Sequence, residues 1–274
     1  MANGEIIVEQ LVKQYGDFMA VDGVSFKVDS GEIFGFLGPN GAGKSTVVKM
    51  LTTLSLPSSG RATVGGFDIE KEAQDVRRVS GVALQEIGLD PLLKSMELLT
   101  IQGQLFGESR KEARQRAVEL LDLVKLSDVT ERPVGKYSGG MRRRLDLAMA
   151  LVHRPDVLFL DEPTTGLDPA SRRDVWNEVR RLNRDYGMTI FLTTQYLEEA
   201  DELADRVAII DRGQIRVEGQ PQALKAALGG ESINVTFKEV DDVESAKDEL
   251  AEMFDRVQVD RKTLRLYRNG AAQI

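Results

Sequence analysis

The stretch that decides the fold reads Gly38-Pro39-Asn40-Gly41-Ala42-Gly43-Lys44-Ser45-Thr46. It matches the pattern G-x-x-x-x-G-K-[ST], whose glycines let successive backbone N–H groups turn toward one anion. A short apolar run, Gly31–Leu37, precedes it, and Lys44–Leu51 predicts a helix, so the loop joins a buried strand to a helix N-terminus. A glycine-rich turn beside a surface lysine is the alternative. In this context a phosphate-binding loop is favoured, with Lys44 at the β- and γ-phosphates and Ser45 on Mg²⁺.

A second buried strand ends in two acids. Val157–Leu160 is continuously apolar and is followed by Asp161 and Glu162. Asp161 is placed to hold Mg²⁺ through water, and Glu162 is the better candidate to polarise an attacking water. A helix N-cap or a solvated turn would be the alternative for the acids alone. Together with a phosphate loop, the pair favours nucleotide hydrolysis.

Short β-branched runs and helical patterns alternate around these motifs. Thr189–Thr193 and Val207–Ile210 predict strands, and Ser171–Asp185 predicts a helix. Strands that alternate with helices favour a mainly parallel sheet with helices on its faces. The fold class predicted from the residues is therefore α/β.

The start and the middle of the chain differ from this pattern. Glu5–Leu11 and Val24–Val28 predict strands ahead of the phosphate loop. Glu108–Leu126 has apolar residues at helical spacing with charges between them. We therefore expect a helical subdomain, at about residues 89–153, inserted into the α/β core.

A small unit follows the main domain. After about Gly229 the pattern is strand, helix and two strands, which predicts an α+β extension. The predicted domains are thus residues 1–228 and residues 229–274.

Composition excludes several classes of function. The 274 residues carry a net charge of −8, which argues against a nucleic-acid binder with a broadly basic face. Zero cysteines exclude disulfides and thiolate metal sites, and a single histidine, His153, argues against a Ser-His-Asp triad. No run approaches the roughly 20 apolar residues of a membrane-spanning helix, and no secretory signal is visible. The expectation is a cytoplasmic chain whose membrane association comes through a partner.

A second glycine motif lies between the two nucleotide motifs. Tyr137–Met141 contains Ser138, Gly139 and Gly140 and precedes an amphipathic helix, which makes it another backbone anion site. One ATP does not need two such sites from one chain. Two chains, each offering this motif to the ATP held by the other, explain the pair.

These motifs together, over about residues 5–220, resemble the nucleotide-binding subunit of an ABC transporter. The resemblance implies a P-loop NTPase of ABC type, with an antiparallel β subdomain and an inserted helical subdomain beside the parallel core. It also implies that Ser138 and Gly140 contact the γ-phosphate of the opposing subunit's ATP. The family signature is usually Leu-Ser-Gly-Gly-Gln, and this chain departs from it at Tyr137 and Met141.

The same resemblance assigns further residues by their order. Tyr15 matches the aromatic that stacks on adenine, Gln85 the glutamine that joins the metal site to the helical subdomain, and Asp168 the acid of a loop that crosses the dimer interface. At the position of the usual histidine this chain has Gln195. Glutamine donates an amide hydrogen bond without a charge, so the hypothesis is that Gln195 still senses the γ-phosphate; an idle Gln195 is the alternative.

The expected cofactors are ATP and Mg²⁺. Catalysis is assigned to Glu162, Lys44 and Gln195. Nucleotide contacts are assigned to Tyr15, Gly38, Pro39, Asn40, Gly41, Ala42, Gly43, Lys44, Ser45, Thr46, Gln85, Ser138, Gly139, Gly140 and Asp168. Metal contacts are assigned to Ser45, Gln85 and Asp161.

The branch of the family is indicated by weaker similarities. Thr193–Asp201, the sequence around Leu151–Pro155 and the added C-terminal unit resemble the daunorubicin-resistance type of exporter ATPase. That resemblance implies a separate multi-pass membrane permease, a homodimer closed around ATP, no nucleic acid, and a place at the cytoplasmic face of the membrane. Tails in this branch are often longer, so Arg261–Ile274 is either a truncated end or part of a stabilising appendage.

Other functions remain open at this stage. An importer ATPase is the main rival, because hydrolytic motifs do not encode direction. A soluble ABC-type ATPase acting in translation typically carries two nucleotide domains in one chain, whereas this sequence has one phosphate loop and one signature motif. A DNA-repair ATPase of this superfamily would separate the motifs by a long coiled coil, which this sequence does not predict. A P-loop kinase or GTPase would lack the Ser138–Gly140 motif.

Three features are interpreted as structural. Arg142–Arg144 is predicted to be a solvated helix face, Trp176 to be a packing residue, and His153 to have a structural or surface role.

Overall fold

The computed structural model describes residues 4–227, 232–237, 243, 246–247, 250, 253–254, 256–260 and 262–267. The strands are β1 (Ile6–Tyr15), β2 (Phe18–Val28), β3 (Ile33–Leu37), β4 (Ser59–Val64), β5 (Phe67–Asp68), β6 (Ser80–Ala83), β7 (Val157–Asp161), β8 (Thr189–Thr194), β9 (Arg206–Asp211), β10 (Gln214–Gly219), β11 (Ser232–Thr236), β12 (Arg256–Asp260) and β13 (Thr263–Tyr267). The α-helices are α1 (Lys44–Leu51), α2 (Ala73–Val79), α3 (Ser95–Leu105), α4 (Arg110–Leu123), α5 (Gly139–Ala150), α6 (Pro169–Tyr186), α7 (Leu197–Leu203) and α8 (Pro221–Ala227).

The central sheet has six strands in the order β10-β9-β3-β8-β7-β6. The strands from β9 to β6 pair in parallel. Every residue of β3, β7 and β8 is buried, as expected for parallel strands covered on both faces. The carboxyl ends of β3, β8, β7 and β6 therefore lie side by side at one edge. The loops that follow them carry Gly38–Thr46, Gln195, Glu162 and Gln85.

An antiparallel sheet in the order β2-β1-β4-β5 packs on one face of the central sheet. Phe26 of β2 lies 5.5 Å from Phe34 and 5.7 Å from Phe191 between ring centroids, and Phe36 and Phe159 extend this aromatic cluster. Aromatic pairs at such spacing add about 0.5–1.5 kcal/mol each beyond the area they bury. The cluster fixes the β1–β2 hairpin relative to the loop after β3.

Helices α4, α5 and α6 cover the other face. Leu120, Leu145 and Val179, one from each helix, belong to one buried cluster with Leu158 and Ile190 of the sheet. Helix α4 starts at a reciprocal cap, in which Ser109 and Glu112 exchange side-chain and backbone hydrogen bonds. The α/β class, the parallel core sheet and the antiparallel β subdomain predicted from the sequence are confirmed.

Trp176 packs as predicted, and His153 has a structural contact, one of the two roles predicted for it. Trp176 is buried and its Nε1 donates to Glu199 Oε1 at 2.9 Å. His153 stacks on Phe106 with ring centroids 4.0 Å apart, and its Nε2 lies 3.0 Å from the carbonyl oxygen of Ser80.

The chain divides into two compact units, Met1–Glu218 and Gly219–Ile274. In the second unit, β11, β13 and β12 form an antiparallel sheet with Leu264 in its core. The helix predicted for this extension and the end Arg261–Ile274 lie partly outside the described residues. The domain boundary expected between residues 228 and 229 stays a prediction.

Candidate nucleotide site

A cavity of about 350 Å³ lies at the carboxyl edge of the central sheet. It is lined by Phe18, Ala20, Asn40, Gly41, Gly43, Lys44, Ser45, Thr46, Gln85 and Glu162. Most of these residues are among those assigned from the sequence. Open α/β sheets bind ligands at this edge, so the position fits a nucleotide site.

The loop after β3 has the backbone that its glycines allow. Gly43 has φ = 107°, and a Cβ atom there would lie 2.5 Å from the carbonyl oxygen of Ala20. A side chain would therefore clash with the β1–β2 hairpin and strain the backbone. Helix α1 starts at Lys44, directly after Gly43, so the free N–H groups at the N-terminus of the helix face the cavity.

Lys44 is buried and ion-paired. Its Nζ donates to the carbonyl oxygens of Gly38 at 2.8 Å and Pro39 at 3.0 Å, and lies 3.1 Å from Glu162 Oε1. Both charged side chains are about 95% buried, with 4% and 5% exposed. A phosphate that enters must therefore compete with Glu162 for the ammonium group.

One carboxylate oxygen of Asp161 accepts hydrogen bonds from two hydroxyl groups. Its Oδ1 accepts from Ser45 Oγ at 3.1 Å and from Thr193 Oγ1 at 2.5 Å. The Asp161 carboxylate, the Ser45 hydroxyl and the amide of Gln85, which lines the cavity, are oxygen ligands of the type that Mg²⁺ prefers. The residues present therefore fit a magnesium ion.

Glu162 is held in an unusual backbone conformation. Its φ is 50°, in the left-handed region that a non-glycine residue adopts only when its surroundings enforce it. Its N–H donates to both the carbonyl oxygen and the hydroxyl of Thr193 at 3.1 Å, and Thr165 Oγ1 donates to its Oε2 at 3.1 Å. These bonds aim the carboxylate at Lys44.

Thr193 was not singled out in the sequence, yet its hydroxyl donates to the Asp161 carboxylate and accepts from the backbone N–H of Glu162. We expect Thr193→Val, which keeps the shape and removes the hydroxyl, to lower kcat for ATP about tenfold, equivalent to about 1.4 kcal/mol. The KM for ATP should change little, because Thr193 does not line the cavity. Steady-state kinetics check this, with Thr193→Ser as the control that keeps the hydroxyl. A Thr193→Val enzyme at wild-type kcat would contradict it.

The second glycine motif lies outside the cavity. Ser138 caps α5 by accepting a hydrogen bond from the N–H of Met141 at 3.3 Å. A Cβ atom on Gly140 would lie 2.7 Å from Ser171 Oγ, so α5 and α6 approach each other too closely for a side chain here. Ser138 and Gly139 are exposed.

Asp168 lies beside that motif as the N-cap of α6. Its Oδ1 accepts from the N–H groups of Ala170 and Ser171, and its Oδ2 accepts from Ser171 Oγ at 2.6 Å. The Ser171 hydroxyl and the backbone N–H bonds lower the pKa of Asp168. Asp168 and the Ser138–Gly140 turn thus share one surface, and neither lines the Lys44 cavity.

The hairpin tip presents two aromatic rings. Tyr15 pairs with Phe18 across the turn, and Lys13 Nζ lies 4.9 Å from the centroid of the Tyr15 ring. Phe18 lines the cavity and Tyr15 does not. Phe18 was missed in the sequence, although its place three residues after Tyr15 in the same hairpin could have indicated it.

Comparisons with known proteins agree with this geometry. The ABC transporter family matches residues 21–165. The daunorubicin resistance ATP-binding protein DrrA3 of Streptomyces coeruleorubidus is 48% identical over 87% of this chain and 75% of its own length. The chain belongs to the ABC transporter family. It is accordingly an ATP-binding subunit with ATPase activity, and the resemblance found in the motifs is confirmed.

A second relative in sequence and a solved structure are also similar to this chain. The Nod factor export ATP-binding protein I of Burkholderia thailandensis is 41% identical over 97% of this chain and 87% of its own length. The crystal structure of the ADP conformation of an ATP-binding cassette of an ABC transporter has a TM-score of 0.71 and 28% identity, covering 78% of this chain and 90% of that one. In the part of the subunit that the structure describes, no helix combines the length and apolar character needed to cross a membrane.

Gln195, where the ABC family pattern has histidine, directly follows β8 between the loops of β3 and β7. It is half-buried and does not line the cavity. Glu199, one helical turn on, is buried and accepts from Thr164 Oγ1 at 2.8 Å and from Trp176 Nε1. Gln195 thus follows the strand that lies between those carrying the phosphate loop and the acids.

The prediction that Arg142–Arg144 is a solvated helix face is wrong for Arg143, which is 5% exposed. The reason is its position on α5. Arg143 lies one helical turn before Leu147 and two turns before Ala150, so it shares the face of α5 that packs against the sheet. Its guanidinium lies 3.1 Å from Asp146 Oδ2.

Burial of the Arg143–Asp146 ion pair makes the stability of the fold depend on pH. Burial raises the pKa of Asp146 to about 6 from its ordinary 3.8, although Arg143 opposes the rise. Between pH 3.8 and about pH 6 the Asp146 carboxyl binds more protons in the folded protein than in the unfolded chain. Its contribution therefore makes the fold more stable as the pH falls, and this contribution is lost as the pH rises. We expect the unfolding free energy of the wild type, relative to Asp146→Asn, to increase by about 1 kcal/mol from pH 7 to pH 5. Urea unfolding of both proteins at both pH values measures this difference, and a constant or reversed difference would contradict it.

Proposed function

We propose that this ABC subunit binds MgATP and uses its hydrolysis to export a drug-like or other lipophilic small molecule through a separate multi-pass membrane subunit. The observation that carries the proposal is 48% identity to a daunorubicin resistance ATP-binding protein over 87% of the chain. The 41% identity to a Nod factor export protein supports export over import. Through its permease, the subunit would work at the cytoplasmic face of the membrane.

We assign separate steps of the chemistry to residues in and beside the cavity. Lys44, the loop N–H groups of Gly38–Thr46 and the start of α1 bind the phosphates. Ser45, Asp161 and Gln85 would hold Mg²⁺, which would neutralise the negative charge that develops on the phosphates during transfer. As the phosphates take over Lys44, the Glu162 carboxylate is released from its ion pair and orients water for in-line attack.

A second copy of the chain completes the site in this proposal. The Ser138–Gly140 motif is supported as a contact to another copy's ATP because it begins helix α5, exposes Ser138 and Gly139, and does not line the chain's own cavity. Asp168 lies at the same surface. Tyr15, with Phe18 beside it, would contact adenine from the hairpin tip. Loss of the γ-phosphate would remove the charge that attracts the two copies and let them separate.

Gln195 is proposed to sense the γ-phosphate from the end of β8. Gln195→Ala removes one neutral hydrogen bond, so we expect the ATPase rate to fall about two- to tenfold, the range of a 0.5–1.5 kcal/mol interaction. Steady-state ATPase assays at saturating MgATP measure this change. An unaltered rate would mean that Gln195 is idle.

The export proposal is tested through its partner. Tagged Glu162→Gln protein, which should hold ATP without turnover, is captured with MgATP from detergent-solubilised cells, and co-purifying proteins are identified by mass spectrometry. The expected result is a multi-pass membrane protein whose recovery falls when MgATP binding is weakened by Lys44→Met. Ribosomal proteins alone, or no membrane protein, would contradict the transport function while leaving the ATPase chemistry intact.

A further inference from the structure

One buried arginine bonds to the main chain on both sides of Glu162. Arg143 Nε donates to the carbonyl oxygen of Pro163 at 2.9 Å, and Nη2 donates to that of Asp161 at 3.2 Å. Nη1 donates to the carbonyl oxygen of Leu84 at 2.5 Å, directly before Gln85. A single guanidinium thus ties helix α5 to the acidic strand end and to the segment that leads to Gln85.

These bonds act where the backbone is under strain. Glu162 has φ = 50°, a conformation that a glutamate keeps only when the bonds around it enforce it. Arg143 fixes the peptide carbonyl groups of the residue before Glu162 and the residue after it. Without these hydrogen bonds from Arg143, the backbone of Glu162 would be free to relax toward an ordinary φ, and its carboxylate would move away from the cavity.

An arginine suits this task in a way that other residues do not. Its planar fork offers five N–H donors, enough for three carbonyl oxygens and Asp146 at once. Burying a charge is unfavourable unless it is paired and hydrogen-bonded. Arg144, the next residue, provides a contrast because it donates to the carbonyl oxygens of Val124 and Lys125, far in sequence from the nucleotide motifs.

We propose that Arg143 is a positioning residue for ATP hydrolysis, which holds Glu162 and the Gln85 segment in a fixed relation to helix α5. The inference rests on the proposed role of Glu162 as the group that orients water. Since Ser138 caps the start of α5, Arg143 links the surface that would meet the second copy to the acid that directs hydrolysis. Arg143 does not itself line the nucleotide cavity.

The test compares two arginines of one helix. Arg143→Lys keeps the charge opposite Asp146 but has a single nitrogen, which cannot reach three separated carbonyl groups. Arg143→Met with Asp146→Leu removes both charges, so no buried charge is left unpaired. Arg144→Met is the matched control, because it removes arginine–carbonyl bonds of the same kind elsewhere on α5. For each protein, kcat and KM for ATP are measured with the melting temperature.

The expected result is a split between kcat and KM. Both Arg143 variants should lose at least about tenfold in kcat, since small misplacements of a reacting group have effects of this size or larger. Their KM for ATP should stay within about threefold of the wild type, a change under 1 kcal/mol. Arg144→Met should keep its kcat, even where its melting temperature falls as far as that of the Arg143 variants.

Two results would overturn the proposal. One is wild-type kcat in Arg143→Lys, and the other is an equal fall of kcat in Arg144→Met at matched melting temperature, which would indicate general destabilisation. A wild-type protein without ATPase activity, or a Glu162→Gln protein with full activity, would instead count against the proposed function. The two failures are therefore distinguishable in one set of assays.

Discussion

The Glu162→Gln protein is expected to bind MgATP and to hydrolyse it about 10²–10⁴-fold more slowly than the wild type, the range for loss of a general base. The amide cannot accept a proton from water, whereas the shape of the side chain is retained. ATP binding should be kept or tightened, because the Lys44 ammonium, now 3.1 Å from the carboxylate, no longer has a charged competitor.

Phosphate release and nucleotide affinity are measured on the same sample. Glu178→Gln is the matched control, since Glu178 is also a buried acid paired with a lysine, Lys125, but lies on α6 away from the cavity. That control should turn over at the wild-type rate per folded molecule. Rapid turnover by Glu162→Gln would remove Glu162 from its assigned role.

The second large effect concerns affinity. Lys44→Met should weaken ATP binding about 10²-fold, the size expected when a hydrogen-bonded charge that contacts phosphate is lost. Lys49→Met, an exposed lysine on the same helix α1, should leave the dissociation constant unchanged. Equilibrium binding of a fluorescent ATP analogue compares the three proteins.

Stability has to be separated from affinity in this variant. Lys44→Met leaves the buried Glu162 carboxylate without its counter-charge, which destabilises the ATP-free protein. The double variant Lys44→Met with Glu162→Gln removes both charges and should recover stability without recovering affinity. Recovery of both would mean that Lys44 acts through folding and not through phosphate contact.

The sequence predicts those parts of the fold and site that are encoded locally. The phosphate loop and the acids after Val157–Leu160 are contiguous motifs at the ends of buried strands, so their positions at the same edge follow from the parallel sheet, with β8 between the two strands. Helix α4 was predicted as Glu108–Leu126 and spans Arg110–Leu123, because its apolar residues recur at helical spacing and Ser109 caps it. The roles of the site residues stay predictions.

The missed features depend on contacts between distant segments. The arginine run at 142–144 does not reveal which member is buried, although Arg143 shares a helix face with Leu147 and Ala150. Strand β6, Ser80–Ala83, is too short and too small in its side chains to give a strand pattern. Thr193 looks like an ordinary strand residue until β8 pairs with β7 and brings its hydroxyl to Asp161.

The most direct measurement is the mass of purified Glu162→Gln protein in solution by light scattering, with and without MgATP. Two copies closed around ATP through Ser138–Gly140 predict twice the mass of one chain with MgATP and a single-chain mass without it, and Ser138→Arg should stay a monomer while still binding ATP. A Glu162→Gln protein that binds ATP fully and remains a monomer would contradict the shared site.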